Sequence, residues 1–327
     1  MQRRDFLFAA ASLGAGSMIP GIFGRAAAQD YPTQPVTIYV PFAAGGASDI
    51  LTRLVSDYAR TKRNIAVGVE FRPGAGGTIA PSQVARAVPD GASLGFYSVS
   101  PFLTVPHLQS LPYQTLADFT FISIYAYIPI AFYVAAESPI TDWAGLIKFA
   151  KDNPGKLRWG TAGVRGIAHL AVEAAFRTEG IKATFVPFAG GSEAITALLG
   201  NHIEAVVSAD YGPQVAAKRV RLLAFTGTEK LAGYESLPTF RELKYPLATE
   251  ALYGLFGPAK LPKNVVAYWE GLIKEMTGSE AYKTALATAN ASPIYLSSAE
   301  FRANVEENYK KLGEQIDELG LKTKGSP

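Results

Sequence analysis

Two hydrophobic rhythms alternate along the chain. The run 36–42 is β-branched and aromatic and predicts a strand, whereas 48–60 has helical spacing. The same alternation continues with a strand over 65–71, a helix over 78–88 and a strand over 94–98. The apolar stretch 119–136 is rich in Ile, Tyr and Phe. It contains Pro129, so it reads as consecutive buried strands rather than a membrane span. Beyond it, helices are expected over 141–152, 167–179 and 192–199, and strands over 157–160, 183–187 and 203–208. The last third is helical, at 263–276, 279–288 and 298–319. A βαβα order of this kind predicts parallel sheets covered on both faces, here in two α/β lobes. No low-complexity linker separates them, so the lobes should pack as a pair.

The N-terminus departs from this rhythm. MQRRDFLFAAASLGAGSMIPGIFGRAAAQD has a charged start, an apolar run from Phe6 to Gly24 and the small residues Ala26, Ala27 and Ala28. That is the layout of an export signal, expected to be cleaved near Ala28 and to leave a periplasmic protein. The pair Arg3–Arg4 ahead of Asp5, Phe6 and Leu7 resembles a twin-arginine signal, with an ordinary Sec signal as the alternative. Residues 1–28 are therefore set apart from the fold. Removing Arg3, Arg4, Asp5 and Arg25 lowers the formal charge from +3 to +1. Lys and Arg form no long run, so no nucleic-acid partner is expected. The chain has no cysteine, which excludes thiolate catalysis, disulfides and Cys-ligated metals.

One phrase is written twice, 146 positions apart: VPFAAGGASDI from Val40 and VPFAGGSEAI from Val186. In each copy a β-type segment ends at a proline, which cannot donate to a sheet ladder. A glycine pair follows, Gly45–Gly46 or Gly190–Gly191, and admits a close approach to the backbone. Ser48 and Ser192 then read as helix caps, with Asp49 and Glu193 behind them. Spare N–H groups at a helix start favour an anion. The bland alternative is a pair of ordinary βα turns. GTAGVRGIAHL over 160–170 is a third such loop, again between a short strand and a helix, and FRPGAGG over 71–77 is a fourth. The last lacks the third small residue of a dinucleotide fingerprint, because Ile79 stands there, and no phosphate-binding P-loop occurs.

These stretches together resemble a family. YPTQPVTIYVPFAAGGASDI, FRPGAGG, the PDG of VPDGASLGF, LPYQTLADFTFIS, NPGKLRWGTAGVRGIAHLAVE, VPFAGGSEAITALLGNHIEAV and YGLFGPAKLP follow the order and spacing of the extracytoplasmic solute-binding receptors of tripartite tricarboxylate transporters, the Bug receptors. The resemblance spans nearly all of 31–325. It implies a two-lobed periplasmic-binding-protein fold, each lobe a mainly parallel sheet flanked by helices, with crossovers near Ile130 and Glu250. The expected lobes are 29–130 with 251–327, and 131–250. It further implies capture of a small organic carboxylate, di- or aromatic, in the cleft between lobes, and delivery to membrane permease subunits by a monomer. No cofactor, metal or catalysis is implied.

Carried onto this sequence, the ligand residues are Phe42, Ala44, Gly45, Gly46, Ser48 and Asp49 in the first loop. Thr161, Ala162, Gly163, Arg165 and His169 follow in the second lobe. Asp210, after the strand 203–208, matches an acid near the cleft; it could orient a ligand hydroxyl or water, or cap the helix after it. Phe188, Tyr97 and Tyr211 could supply apolar walls or be core, and Ser98 faces the first loop. The sequence departs from the family at Ala43–Ala44, at Phe71–Arg72 and at Arg165. If Arg165 points inward, it offers a fork for a second carboxylate; if outward, it steers anions from the rim. The Gly45, Gly46 and Gly163 N–H groups, the Ser48 hydroxyl and Thr161 are the expected carboxylate contacts.

Two other functions fit parts of the sequence. A sensing protein feeding a membrane regulator would look the same. An exported hydrolase would need a nucleophile motif, but G-x-S-x-G is absent and the only histidines are His107, His169 and His202. His169, at a helix start, suits an orienting hydrogen bond better than catalysis.

Overall fold

The computed structural model describes residues 31–249 and 251–322. The expected leader and Glu250 lie outside the described residues.

The strand β1 (Val36–Val40) alternates buried and half-exposed side chains, with Val36, Ile38 and Val40 inward. The helix α1 (Ala47–Arg63) follows and buries Leu51, Leu54, Val55, Tyr58 and Ala59, one face at helical spacing. It stops where Asn64 turns left-handed. Next come β2 (Val67–Phe71), α2 (Ile79–Val84), β3 (Ser93–Tyr97), the short α3 (Val99–Leu103) and β4 (Phe119–Ile128). β1 pairs in parallel with both β2 and β3.

At Pro129 and Ile130 the chain leaves this sheet. The second sheet begins with β5 (Ala131–Ala135), followed by α4 (Trp143–Asp152), β6 (Arg158–Ala162), α5 (Ile167–Glu179) and β7 (Thr184–Phe188). α6 (Gly191–Leu199), β8 (Ala205–Ser208), α7 (Gly212–Ala216) and β9 (Val220–Phe225) complete it. The chain then returns as β10 (Ala251–Pro258), α8 (Lys263–Thr277), α9 (Glu280–Ala289), β11 (Ser292–Leu296) and α10 (Ser298–Glu318). α10 opens with a capping box between Ser297 and Glu300.

The first sheet has the order β11-β4-β10-β3-β1-β2 and the second β7-β6-β8-β5-β9. The parallel expectation holds for β3, β1 and β2 and for β7, β6 and β8. The strands beside them are antiparallel, because β10 and β5 enter from the other sheet without a crossover helix. The two passages between sheets are tied together. The Thr226 N–H donates to the Ile130 carbonyl at 2.8 Å, the Thr249 N–H donates to the Thr226 carbonyl at 2.8 Å, and the two threonine hydroxyls lie 2.8 Å apart. From Tyr31 onward the chain forms one compact unit.

β10 has every residue buried and lies between β3 and β4, yet it carries Gly254 and Gly257. A Cβ on Gly254 would sit 2.3 Å from the Ser123 carbonyl oxygen, so the glycine is there for a close backbone approach.

His107 belongs to the packing of α10. Its ring lies 4.3 Å from that of Tyr309, and Nε2 donates to the Tyr309 carbonyl at 2.9 Å. Burial holds its pKa below the ordinary 6.5, against the opposing pull of that hydrogen bond. A lowered value means that the unfolded chain binds the proton first. His107 therefore contributes its full stability above about pH 6.5 and loses it as pH falls through the lowered value. Urea denaturation at pH 7.5 and 5.5 should show a smaller acid loss in His107→Gln than in the wild type. Equal losses would assign the acid sensitivity to other groups.

Candidate functional site

The two copies of the repeated phrase have the same local build. The loop after β1 is closed by Asp49, whose Oδ2 accepts the Gly45 N–H at 2.9 Å. The loop after β7 is closed by Glu193, whose Oε2 accepts the Ala189 N–H at 3.1 Å. The N-caps are Gly46 and Gly190, both extended and without a side-chain cap bond. This corrects the expectation for Ser48 and Ser192, which lie inside the first helical turn. Glycine holds the cap because there is no room for a side chain. A Cβ on Gly190 would meet that of Ala43 at 2.8 Å, and one on Gly46 would meet Asp210 Oδ1 at 2.4 Å.

The loops come from different sheets, and they touch. The Ser192 hydroxyl donates to the Ala44 carbonyl at 3.0 Å. Asp210, just after β8, sits between them, and its Oδ1 accepts the Ala47 N–H of α1 at 2.6 Å. Its own N–H donates to Ser208 Oγ at 3.1 Å, and that hydroxyl lies 2.8 Å from the Tyr133 hydroxyl. Burial raises the Asp210 carboxyl above its ordinary pKa, while the Ala47 N–H and the Ser208 hydroxyl pull it down. Of the two roles open in the sequence, capping the helix after it is not what Asp210 does. It bonds the start of α1 instead.

Beneath this contact lies a cavity of about 60 Å³. Five small hydroxyl residues line it: Ser48, Ser98, Ser100, Thr161 and Ser208. Phe42, Val99, Ile130 and Tyr253 supply apolar wall, and among the described residues Asp210 is its one carboxylate. Among the described residues, none that lines it is Lys or Arg. Ser48 and Ile167 come from the first turns of α1 and α5, so two helix N-termini face the space, and Ser100 comes from the short α3. Ser98 Oγ is buried and finds no protein partner. A buried hydroxyl without a partner is costly, so this atom marks where a polar ligand atom fits.

Six of the expected residues line this cavity: Phe42, Ser48, Ser98, Thr161, Ala162 and Asp210. The others do not. Gly45 and Gly163 fail as donors because their N–H groups are already used, by Asp49 and by the Phe188 carbonyl at 3.0 Å. Ala44 and Gly46 serve the contact between loops, and Asp49 also pairs with Arg53 at 2.5 Å. Tyr97 is fully buried among Phe102, Phe121 and Phe301, in the core of the first sheet. Tyr211 is buried too, with its hydroxyl donating to the Pro129 carbonyl at 2.9 Å. His169 turns away: its Nδ1 accepts the Arg165 N–H at 2.9 Å and its ring stacks on Phe185 at 4.0 Å. Arg165 and Phe188 line a separate outer groove with Gly76 and Gly163, and Arg165 Nη1 lies 3.4 Å from the Leu108 carbonyl. An inward fork at Arg165 is therefore not what the fold builds.

Sequence reasoning missed Ser100, Ile167, Ser208 and Tyr253. Ser100 also accepts the Ile167 N–H at 3.1 Å, joining the second sheet's α5 to the first sheet's α3. For three of them the available signal was position: Ser100 and Ile167 open helices after a strand and Ser208 ends β8, all at the carboxyl ends of strands, where open α/β sheets place their ligands, whereas Tyr253 lies inside β10 and carries no such signal.

The family model for the tripartite tricarboxylate transporter family receptor matches residues 51–321. The chain belongs to that receptor family. The receptor is 30% identical over 325 residues to the UPF0065 protein in the gbd 5′ region of Cupriavidus necator, covering 98% of this chain and 99% of the relative. Among solved structures it is similar to the periplasmic binding protein BugD, with TM-score 0.83 and 26% identity, over 89% of this chain and 99% of that one. It is also similar to R. palustris Rpa4515 with adipate, with TM-score 0.82 and 25% identity, over the same shares. The two-sheet α/β architecture is thus that of periplasmic binding proteins. Among the described residues no group of three or more His, Asp and Glu could hold a metal ion, and no helix is long and apolar enough to cross a membrane.

Proposed function

We propose that this receptor captures a small organic carboxylate in the cavity under its two glycine loops and presents it, in the periplasm, to the membrane permease subunits of a tripartite transporter. The observation that carries the reading is the cavity's lining: five small hydroxyls, that of Ser98 buried without a partner, and the N-termini of α1 and α5, with no basic side chain among the described residues. Such a surface stabilises a carboxylate by hydrogen bonds and helix dipoles rather than by an ion pair. The lobes that would close on the ligand are 29–130 with 251–327, and 131–250, one sheet in each. The adipate held by the R. palustris relative supports a carboxylate as ligand.

A thermal-shift screen of the mature chain against mono-, di- and tricarboxylates and aromatic acids tests this reading. A true ligand at a hundred-fold excess over its Kd should raise stability by about 2.7 kcal/mol. A screen in which no carboxylate shifts the melting temperature would reject the carboxylate reading.

A further inference from the structure

The carboxylate that sits between the two glycine loops is the protein's own. Asp210 follows β8 of the second sheet, but its Oδ1 takes the Ala47 N–H of α1, which packs on the first sheet. It fits a slot with glycine on both sides. A Cβ on Gly46 would come within 2.4 Å of Oδ1, and one on Gly191 within 1.7 Å of Oδ2. The second glycine of each copy of the repeated phrase thus makes room for this one side chain. Asp210 is also the one residue shared by two spaces. It lines the inner cavity, and it lines an outer groove of about 500 Å³ together with Gly45, Ser192 and Thr196.

We propose that Asp210 is the bolt of the cleft: a built-in anion that docks on the N-terminal end of the opposite lobe's α1 and shuts the inner cavity off from the outer groove. The proposal rests on the reading of the two sheets as lobes that part to admit a ligand. Its chemistry is that of any carboxylate at a helix start, where N–H groups lack intrahelical partners and the dipole favours negative charge. Its own backbone N–H bond to Ser208 Oγ fixes the turn after β8 that presents the side chain to α1. Because the docked anion belongs to the protein, the cleft closes on itself before any ligand arrives. A ligand gains entry by breaking one charge-assisted hydrogen bond and the Ser192–Ala44 contact beside it.

The chain has no cysteine, so an introduced pair reports without background. Gly45→Cys with Ser192→Cys places the two Cβ atoms 3.9 Å apart, within disulfide range. Gly45 has φ +88, so the pair is strained, but equally so in every background compared. Cross-linking of ligand-free mature protein is timed with Asp210 intact, in Asp210→Ala and in Asp210→Asn, alongside small-angle scattering of each variant without the cysteines. The expected result is a rate about ten-fold or more lower in Asp210→Ala, an intermediate rate in Asp210→Asn and a larger radius of gyration in the alanine variant. Circular dichroism confirms that each variant is folded. Unchanged cross-linking and an unchanged radius of gyration in both folded variants would overturn the bolt. Neither readout uses a ligand, so the bolt can stand if no carboxylate binds, or fall while carboxylate binding survives.

Discussion

Gly191→Ala should weaken capture of a carboxylate ligand by about ten- to a hundred-fold while leaving each sheet folded. Gly191 is the first residue of α6 and has ordinary helical backbone, so alanine would by itself favour the helix by up to about 1 kcal/mol. Space decides the other way. The new methyl would lie 1.7 Å from Asp210 Oδ2, 2.6 Å from its Cγ and 3.0 Å from its Cβ. Rotating the carboxylate relieves the first contact but not the last, so α6 and Asp210 must separate. Overpacking of this kind costs about 1–3 kcal/mol, here charged to closure because the crowded groups flank the contact between loops. Calorimetry on Gly191→Ala, Asp210→Ala and the double variant forms a cycle. With Asp210 already truncated, the glycine change should cost little. Equal cost in both backgrounds would show that the carboxylate is not what the glycine accommodates.

The second large effect is on the fold. Gly254→Val should destabilise the protein by about 3 kcal/mol or prevent its folding. The added Cβ meets the Ser123 carbonyl oxygen at 2.3 Å, the Ile124 Cδ1 at 2.8 Å and the Ile124 Cα at 3.1 Å. Two of the three are backbone atoms of the paired strand β4, so no rotamer change relieves them. The pairing between β10 and β4 already shifts register at Gly254, which leaves no slack on that side. Urea denaturation measures the loss, and a variant within 1 kcal/mol of the wild type would contradict the packing described for β10.

The parallel half of each sheet was legible because hydrophobic runs and helical spacing alternate there without interruption. β10 was not, because Gly254 and Gly257 break its apolar run and read as turn residues; only the neighbouring strand explains them. β9 and β11 lacked a signal for a similar reason. They are short antiparallel additions whose pairing is set by the other strands rather than by their own pattern. At the site, the repeated phrase correctly marked two loops that face each other. What it could not show is which donors stay available. Gly45 and Gly163 look like free backbone amides until Asp49 and Phe188 are seen to take them. Tyr97 shows the same limit from the apolar side, since an aromatic residue ending a strand points either into a cleft or into the core. Here Phe102, Phe121 and Phe301 surround it. Asp210 was recognisable as important, but its partner lies 163 residues away on another element.

Ser98 gives the most direct test of where the ligand sits. Its hydroxyl is buried in the cavity wall with no protein partner among the described residues, whereas Arg165 lies outside that wall, in the groove it lines with Phe188 and Gly163. The measurement is a calorimetric titration of the mature chain and of Ser98→Ala with the carboxylate that most raises the melting temperature. The expected result is one site per chain in the wild type and a loss of about ten-fold or more in Ser98→Ala, the worth of a hydrogen bond to a charged group. Identical affinity in the two proteins would contradict the central claim, and would place the ligand outside the cavity beneath the glycine loops.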